Sequence, residues 1–323
     1  MIAGGFLGRS KQEQVELQPS PEALLVEELG ALGEDARGVG LNQWREFFRL
    51  RDDIVHVHHM SKMAVLAALV SGRFVFTHHS GLYAARGVRR FAEQLVWRRA
   101  SCVVCLSESE ECEKQKRYSF LRGRTVVIPN GVRSVTRCTR ARSWDGESEF
   151  VIAQVGQLIP LKRVELGLEA LVHLPCNFVL ELTYHNDALE GELRRLAEQL
   201  GVSGRVRFLG AAHGEGLATR YERASLLLLT SETESLPSVI SEALMAGLPV
   251  VATAVGGVQE QVSEGGICVP LAGGSYAEAI LKVAAEYDRY ASSAFERGRV
   301  ISQWTSRSMA KAHVRLYKRL LER

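Results

Sequence analysis

From Glu149 onward the chain alternates between two hydrophobic patterns. Phe150–Val155, Phe178–Thr183, Val206–Leu209, Leu226–Leu229, Pro249–Thr253 and Ile267–Val269 are short, nearly continuous apolar runs, as expected of buried strands. Val164–Leu174, Glu190–Leu200, Leu217–Arg223 and residues 237–246 repeat their apolar positions at helical spacing instead, and Gly201 closes the second of them. Strand and helix in strict alternation predict a parallel, doubly wound sheet.

The first half is thinner. Asp53–Val57, Phe74–Thr77, Cys102–Leu106 and Thr125–Ile128 read as strands, with helices near 61–70, 83–98 and 108–118. Nothing before Gly4-Gly5 is long enough for a full strand. Yet the first strand of a doubly wound sheet lies mid-sheet, and its loss leaves a gap. Either Val15–Leu17 or another short piece takes that place, or this domain is truncated. The polar segment Thr136–Glu147 is the expected linker. Met309, Ala312, Leu316, Tyr317 and Leu320 recur at helical spacing and predict one amphipathic helix over Trp304–Arg323. The expected division is a short first domain at 1–145, a second at 146–303, and a terminal helix at 304–323.

At 323 residues, with 46% hydrophobic and 24% charged content, the chain suits two globular domains. Its best apolar stretch, Met63–Val70, is broken by Ser71-Gly72-Arg73, well short of the roughly 18–20 residues that span a bilayer. No basic-then-apolar leader opens the chain, so a cytoplasmic protein with six reduced, mostly buried cysteines is expected. Cys102 and Cys105 match C-x-x-C, but side chains three apart on a strand face opposite ways and cannot share a metal. The net charge of +3 conceals an asymmetry: residues 1–145 hold 22 Lys/Arg against 16 Asp/Glu (22 − 16 = +6), and the remainder 18 against 21 (18 − 21 = −3). Most of the excess lies between Arg86 and Arg142. A basic face of this kind suits a peripheral contact with an anionic membrane, a lipid-phosphate acceptor, or plain solvation. No aromatic interleaving accompanies it, so nucleic acid is not an expected partner.

The richest stretch is Ser231–Leu244. Glu234 falls in the loop after the Leu226–Leu229 strand, and Glu242 lies more than a turn inside the following helix, whose first turn holds Pro237. Backbone N–H groups near Pro237, Ser238 and Val239 then point out of a helix N-terminus, a ready place for phosphate oxygens. An acid on each side of a phosphate site suits a nucleotide-sugar, one for sugar hydroxyls and one for ribose. His56, His58 and His59 look like a metal cluster, but no third ligand of suitable type is identifiable, and no metal is expected.

The Glu-x7-Glu spacing, the run Glu-Ala-Leu-x-Ala-Gly-x-Pro-Val-Val-Ala-Thr from Glu242 and the turn Val255-Gly256-Gly257 resemble the group 1, family 4 retaining glycosyltransferases. The resemblance covers about residues 53–323 and implies an α/β GT-B fold, two doubly wound (Rossmann-like) domains facing a cleft. It implies a metal-independent, retaining hexosyltransferase of polysaccharide biosynthesis, with a nucleotide-diphosphate sugar as donor, no further cofactor, and a glycan or lipid-linked acceptor. His79 matches the family histidine near the reacting sugar, and Glu234 the acid on its hydroxyls. Gly156, Gln157, Lys162, Pro237, Ser238, Val239 and Glu242 match the donor-binding positions, Lys162 as the cation on the diphosphate. Gln157 stands where the family usually has arginine; an amide donates hydrogen bonds but no charge. Pro129-Asn130-Gly131-Val132 matches the family's turn out of the first domain, and Gly256-Gly257 with Glu260 opens a loop where backbone approaches ligand or simply turns. A degenerate GT-B module that binds nucleotide without transfer is the alternative.

Overall fold

The computed structural model describes residues 2–4, 20–40, 54–60, 62–77, 79, 88–132 and 138–322. Val15–Leu17, Asp53, His78, Arg86 and the start of the 83–98 helix lie outside the described residues, as does Thr136. The chain forms two compact units, Met1–Arg133 with Trp304–Arg323, and Ser134–Gln303.

In the first unit six parallel strands run in the order β2-β1-β3-β4-β5-β6: β1 Ile2–Gly4, β2 Gly38–Gly40, β3 Ile54–Val57, β4 Arg73–Thr77, β5 Cys102–Cys105 and β6 Thr125–Val127. The mid-sheet place that the sequence left open belongs to Ile2–Gly4, which pairs with β2 on one side and β3 on the other. Ladders on both sides, not hydrophobic pattern, make these three residues a strand.

Alternation along β4 and β5 fills two cores. Phe74, Phe76, Val103 and Cys105 pack with Val96 and Trp97 of the helix Val88–Arg99. Val75, Cys102 and Val104 pack with Leu24, Leu25 and Leu29 of the helix Pro21–Ala31 and with Met309, Leu316 and Leu320 of the terminal helix Ser306–Leu321. Burying both faces is what a parallel sheet requires. The terminal helix is tied in by Ser306 Oγ donating to Glu28 at 2.6 Å, by Arg73 Nε donating to the Leu320 carbonyl at 3.0 Å, and by the Val132 amide on the Trp304 carbonyl at 2.9 Å.

The C-x-x-C cysteines thus face opposite cores. Of the others, Cys138 and Cys268 are half-buried and Cys112 and Cys176 exposed, so the expectation of mostly buried thiols holds only for the strand pair. Cys112 lies on the helix Glu108–Arg117, Cys176 in the turn before Phe178 and Cys268 on the short edge strand Gly266–Val269, where burial is partial or absent.

The second unit holds β7 Phe150–Gly156, β8 Phe178–Tyr184, β9 Val206–Gly210, β10 Leu226–Leu229, β11 Val250–Thr253 and β12 Gly266–Val269, all parallel, in the order β12-β11-β10-β7-β8-β9. Its chain direction reverses between β7 and β10, the position where open α/β sheets leave a crevice at their carboxyl ends. Residues from Cys138 on pack with this unit. Arg142 donates to the carbonyls of Tyr221, Glu222 and Ala224 and of Ala246, where the helices Gly214–Arg223 and Ser238–Met245 end.

Candidate donor site

At the carboxyl ends of β7 and β10 two loops meet. Pro160–Lys162 forms a single 3-10 turn, and Arg163 follows in the left-handed conformation (φ +47°). The loop is pinned to the end of β10: Gln154 donates to Thr230 Oγ1 at 2.7 Å, Thr230 donates to the Lys162 carbonyl at 2.8 Å, and the Glu232 amide bonds the Leu161 carbonyl at 2.9 Å. That brings Lys162 Nζ to 2.6 Å from Glu234 Oε1, with both side chains largely buried. The two residues that the sequence assigns to phosphate and to sugar are therefore ion-paired with each other.

Gly156, Gln157, Lys162, Thr183 and Ser231 line a narrow depression between these loops. Among the described residues, the buried hydroxyls of Ser231 and Ser235 and the Oε1 of Gln154 have no hydrogen-bond partner. Unsatisfied buried groups of this kind call for a ligand or water.

Gln157 Nε2 lies 3.1 Å from His185 Nε2 at the end of β8. His185 gave no sequence signal, since it belongs to no spacing that Gln157 starts. Arg163, the arginine nearest in sequence to Gln157, is hydrogen-bonded to Glu165.

The helix Ser238–Met245 begins one residue after Pro237, which takes the N-cap position rather than the first turn. Ser238 is exposed and Val239 half-buried, and first-turn N–H groups lack intrahelical acceptors. Glu242 is 3% exposed and its Oε2 accepts from Tyr221 Oη at 2.9 Å. Burial, then the Glu242 charge, raises the Tyr221 hydroxyl well above its ordinary pKa, so it stays a donor.

Gly256 has φ +54°, and a Cβ there would strike the Glu234 carbonyl. The Gly257 amide bonds the Ser235 carbonyl at 2.8 Å. The close approach that the Gly-Gly pair allows is to the protein's own Glu234 loop.

The remaining candidate, His79, lies in the first unit beyond β4, half-buried, with Nε2 2.8 Å from His58 Nδ1. Burial pushes its pKa down to about 4, and burial likewise holds His58 well below the ordinary imidazole value. Glu22, at the start of the helix Pro21–Ala31 and 2% exposed, joins this group, and one ligand atom from each of Glu22, His58 and His79 lies within 4.8 Å of the others. Of the three histidines grouped in the sequence, His58 alone belongs to this cluster; Glu22, 36 positions earlier (58 − 22), and His79, beyond the next strand, complete it. His56 is occupied separately, by Thr77 Oγ1 and Tyr317 Oη at 2.7 Å each.

Residues 139–294 match the family of glycosyl transferases group 1, and residues 35–134 the glycosyltransferase family 4. A D-inositol 3-phosphate glycosyltransferase of Corynebacterium urealyticum is 27% identical over 303 residues, 83% of this chain and 72% of that protein. With further curated proteins of that name, from Geodermatophilus obscurus and Mycobacterium bovis, the match spans less than half of their length, 43% and 28%. Among solved structures, Anabaena HepE in complex with UDP aligns with a TM-score of 0.74 at 19% identity, covering 98% of both chains. The sucrose-phosphate synthase of Thermosynechococcus elongatus aligns with a TM-score of 0.76 at 20% identity, covering 99% of both. Two parallel-sheet units, each matched by one of the paired family descriptions, place this chain in the group 1, family 4 glycosyltransferases of GT-B fold.

Proposed function

We propose that the protein transfers a hexose, with retention, from a nucleotide-diphosphate sugar to a glycan or lipid-linked acceptor. The observation that carries this reading is the β7/β10 crevice, where Lys162, lining it with Gly156 and Gln157, pairs with Glu234, and where Gln154 and Ser231 carry unsatisfied buried polar atoms. The first-turn amides of Ser238 and Val239, with Lys162, would take the diphosphate, helped by the helix dipole. Glu234 would then exchange Lys162 for the sugar's hydroxyls, and Glu242 would meet the ribose. No protein nucleophile is needed: the departing phosphate oxygen accepts the acceptor's proton on the face it leaves, and His79 would hold the sugar. Amides and Lys162 would serve the diphosphate in place of a metal. UDP is the base to try first, because solved structural relatives hold it.

On the acceptor side, Phe91 and Leu69 are 71% and 58% exposed in the first unit, with Arg90 and Arg98 also exposed, which supports a peripheral contact with anionic membrane. No helix among the described residues is long and apolar enough to cross a membrane.

Gln157 favours the second reading, a module that binds nucleotide without transfer. Purified protein assayed with UDP-, GDP- and ADP-sugars, with glycan, lipid-phosphate and D-inositol 3-phosphate acceptors, separates the two. Turnover of one donor, lost in Glu234→Ala, is expected. Nucleotide binding without turnover in every arm would overturn the enzyme reading.

A further inference from the structure

We propose that Glu22, His58 and His79 bind one divalent transition-metal ion of the zinc class in the first unit. A carboxylate oxygen and one nitrogen from each ring lie within 4.8 Å of one another, and the two rings already meet through His58 Nδ1 and His79 Nε2 at 2.8 Å. Bonds of about 2.0–2.2 Å put tetrahedral ligand atoms roughly 3.3 Å apart. The imidazoles would therefore open slightly, and the carboxylate would close in. One carboxylate with two histidines leaves a fourth position for water or substrate oxygen.

The fold brings the three together by ordinary means. β3 and β4 are adjacent parallel strands, so the residues just beyond them, His58 and His79, leave the sheet at one edge. β1 pairs with both β2 and β3, so the chain direction switches at β1/β3, next to this edge. The helix Pro21–Ala31, capped by Ser20, starts there and carries Glu22 in its first turn.

The environment fits a cation. Burial, ahead of the other charges, keeps both imidazoles neutral, the form that ligates. Burial opposes the charge on Glu22, and the hydrogen bond from His59 favours it. His59 Nε2 sits 3.3 Å from Glu22 Oε1, the kind of outer partner that orients a ligating carboxylate. His58 Nε2 is buried and, among the described residues, has no hydrogen-bond partner.

Coordination through His79 Nε2 would place that ring's proton on Nδ1 and fix it as a donor toward a substrate hydroxyl. All three ligands belong to the first unit, and the site does not depend on the transfer reading.

The test uses the full-length chain, stripped with chelator and desalted. It is titrated with Co²⁺, read by the visible bands of tetrahedral cobalt, and then with Zn²⁺, read by metal content. One ion per chain is expected, with Zn²⁺ displacing Co²⁺. Glu22→Gln and His58→Gln should each weaken binding about tenfold or more, while His173→Gln, on the surface of the second unit, should change nothing. No stoichiometric binding by the wild type, or equal binding in every variant, would reduce the cluster to a hydrogen-bonded histidine relay. If a variant fails to fold, amide exchange on the wild type decides. Protection by Zn²⁺ at residues 20–25 and 54–60 supports the site, and protection confined elsewhere overturns it.

Discussion

A methyl group on Gly256 would run into the Glu234 carbonyl, and the residue's φ of +54° already lies where an L side chain is strained. Gly256→Ala should therefore cost about 2 kcal/mol or more, from roughly 1–2 for the left-handed backbone plus the displaced carbonyl. It should lower the melting temperature of the second unit by roughly 4–8 °C and weaken nucleotide-sugar binding in a parallel titration. An unchanged melt would mean that the 234–235 loop yields without cost. The individual positions of the site were legible because short spacings carry them: Glu234 and Glu242, Gly256 and Gly257. Their pairings were not. Lys162 and Glu234 meet across 72 residues, and Gln157 meets His185 across 28, and nothing in either partner's surroundings names the other. Glu22 was missed for the same reason: a glutamate after Ser20-Pro21 reads as an ordinary helix start, and only the tertiary fold sets it against two histidines.

Elements whose apolar residues are buried on both faces announced themselves. β7, β8 and β10 were legible to within a residue, because continuous burial leaves continuous hydrophobic runs. β1 and β2 were not: Ile-Ala-Gly and Gly-Val-Gly are too short and glycine-rich to have a pattern, and neighbouring strands define them. The helices Tyr276–Ala285 and Tyr287–Ile301 were missed although their buried sides are regular. Ending two helices together also depends on a residue that no periodicity reveals. Arg142 spreads its guanidinium over four carbonyls at 2.8–3.0 Å, supplying donors that the helix C-termini lack. Arg142→Lys keeps the charge and loses the planar fork. We expect a loss of roughly 2 kcal/mol, measured by denaturant unfolding of the second unit, with little difference between Lys and Gln at this position. Full rescue by Lys would show that charge, not geometry, is what the carbonyls require.

For the molecule as a whole, acid should unfold the first unit before the second. His313, 3% exposed on the terminal helix, bonds the Met309 carbonyl at 2.9 Å and faces His56 of β3 and Tyr317 of its own helix. Burial holds its pKa down to about 4, against an ordinary 6.5. The unfolded chain then binds the extra proton between those values, so the stabilisation is complete above pH 6.5 and drains away as pH falls toward 4. A shift of that size corresponds to about 3 kcal/mol. Hydrogen exchange followed from pH 7 to 4 should show the first unit losing protection first, and His313→Gln should flatten the slope; equal slopes would remove His313 from the account. The helix that carries His313 is also the last part of its unit to be made. Its partners in that core, from Leu24 to Ile128, leave the ribosome before any of residues 134–303, yet the core they share with Met309, Leu316 and Leu320 waits for the final residues. During synthesis the later unit finishes before the earlier one. A nascent chain would carry an open apolar face through the whole of that interval, and shielding it is a task for chaperones rather than for the sequence itself.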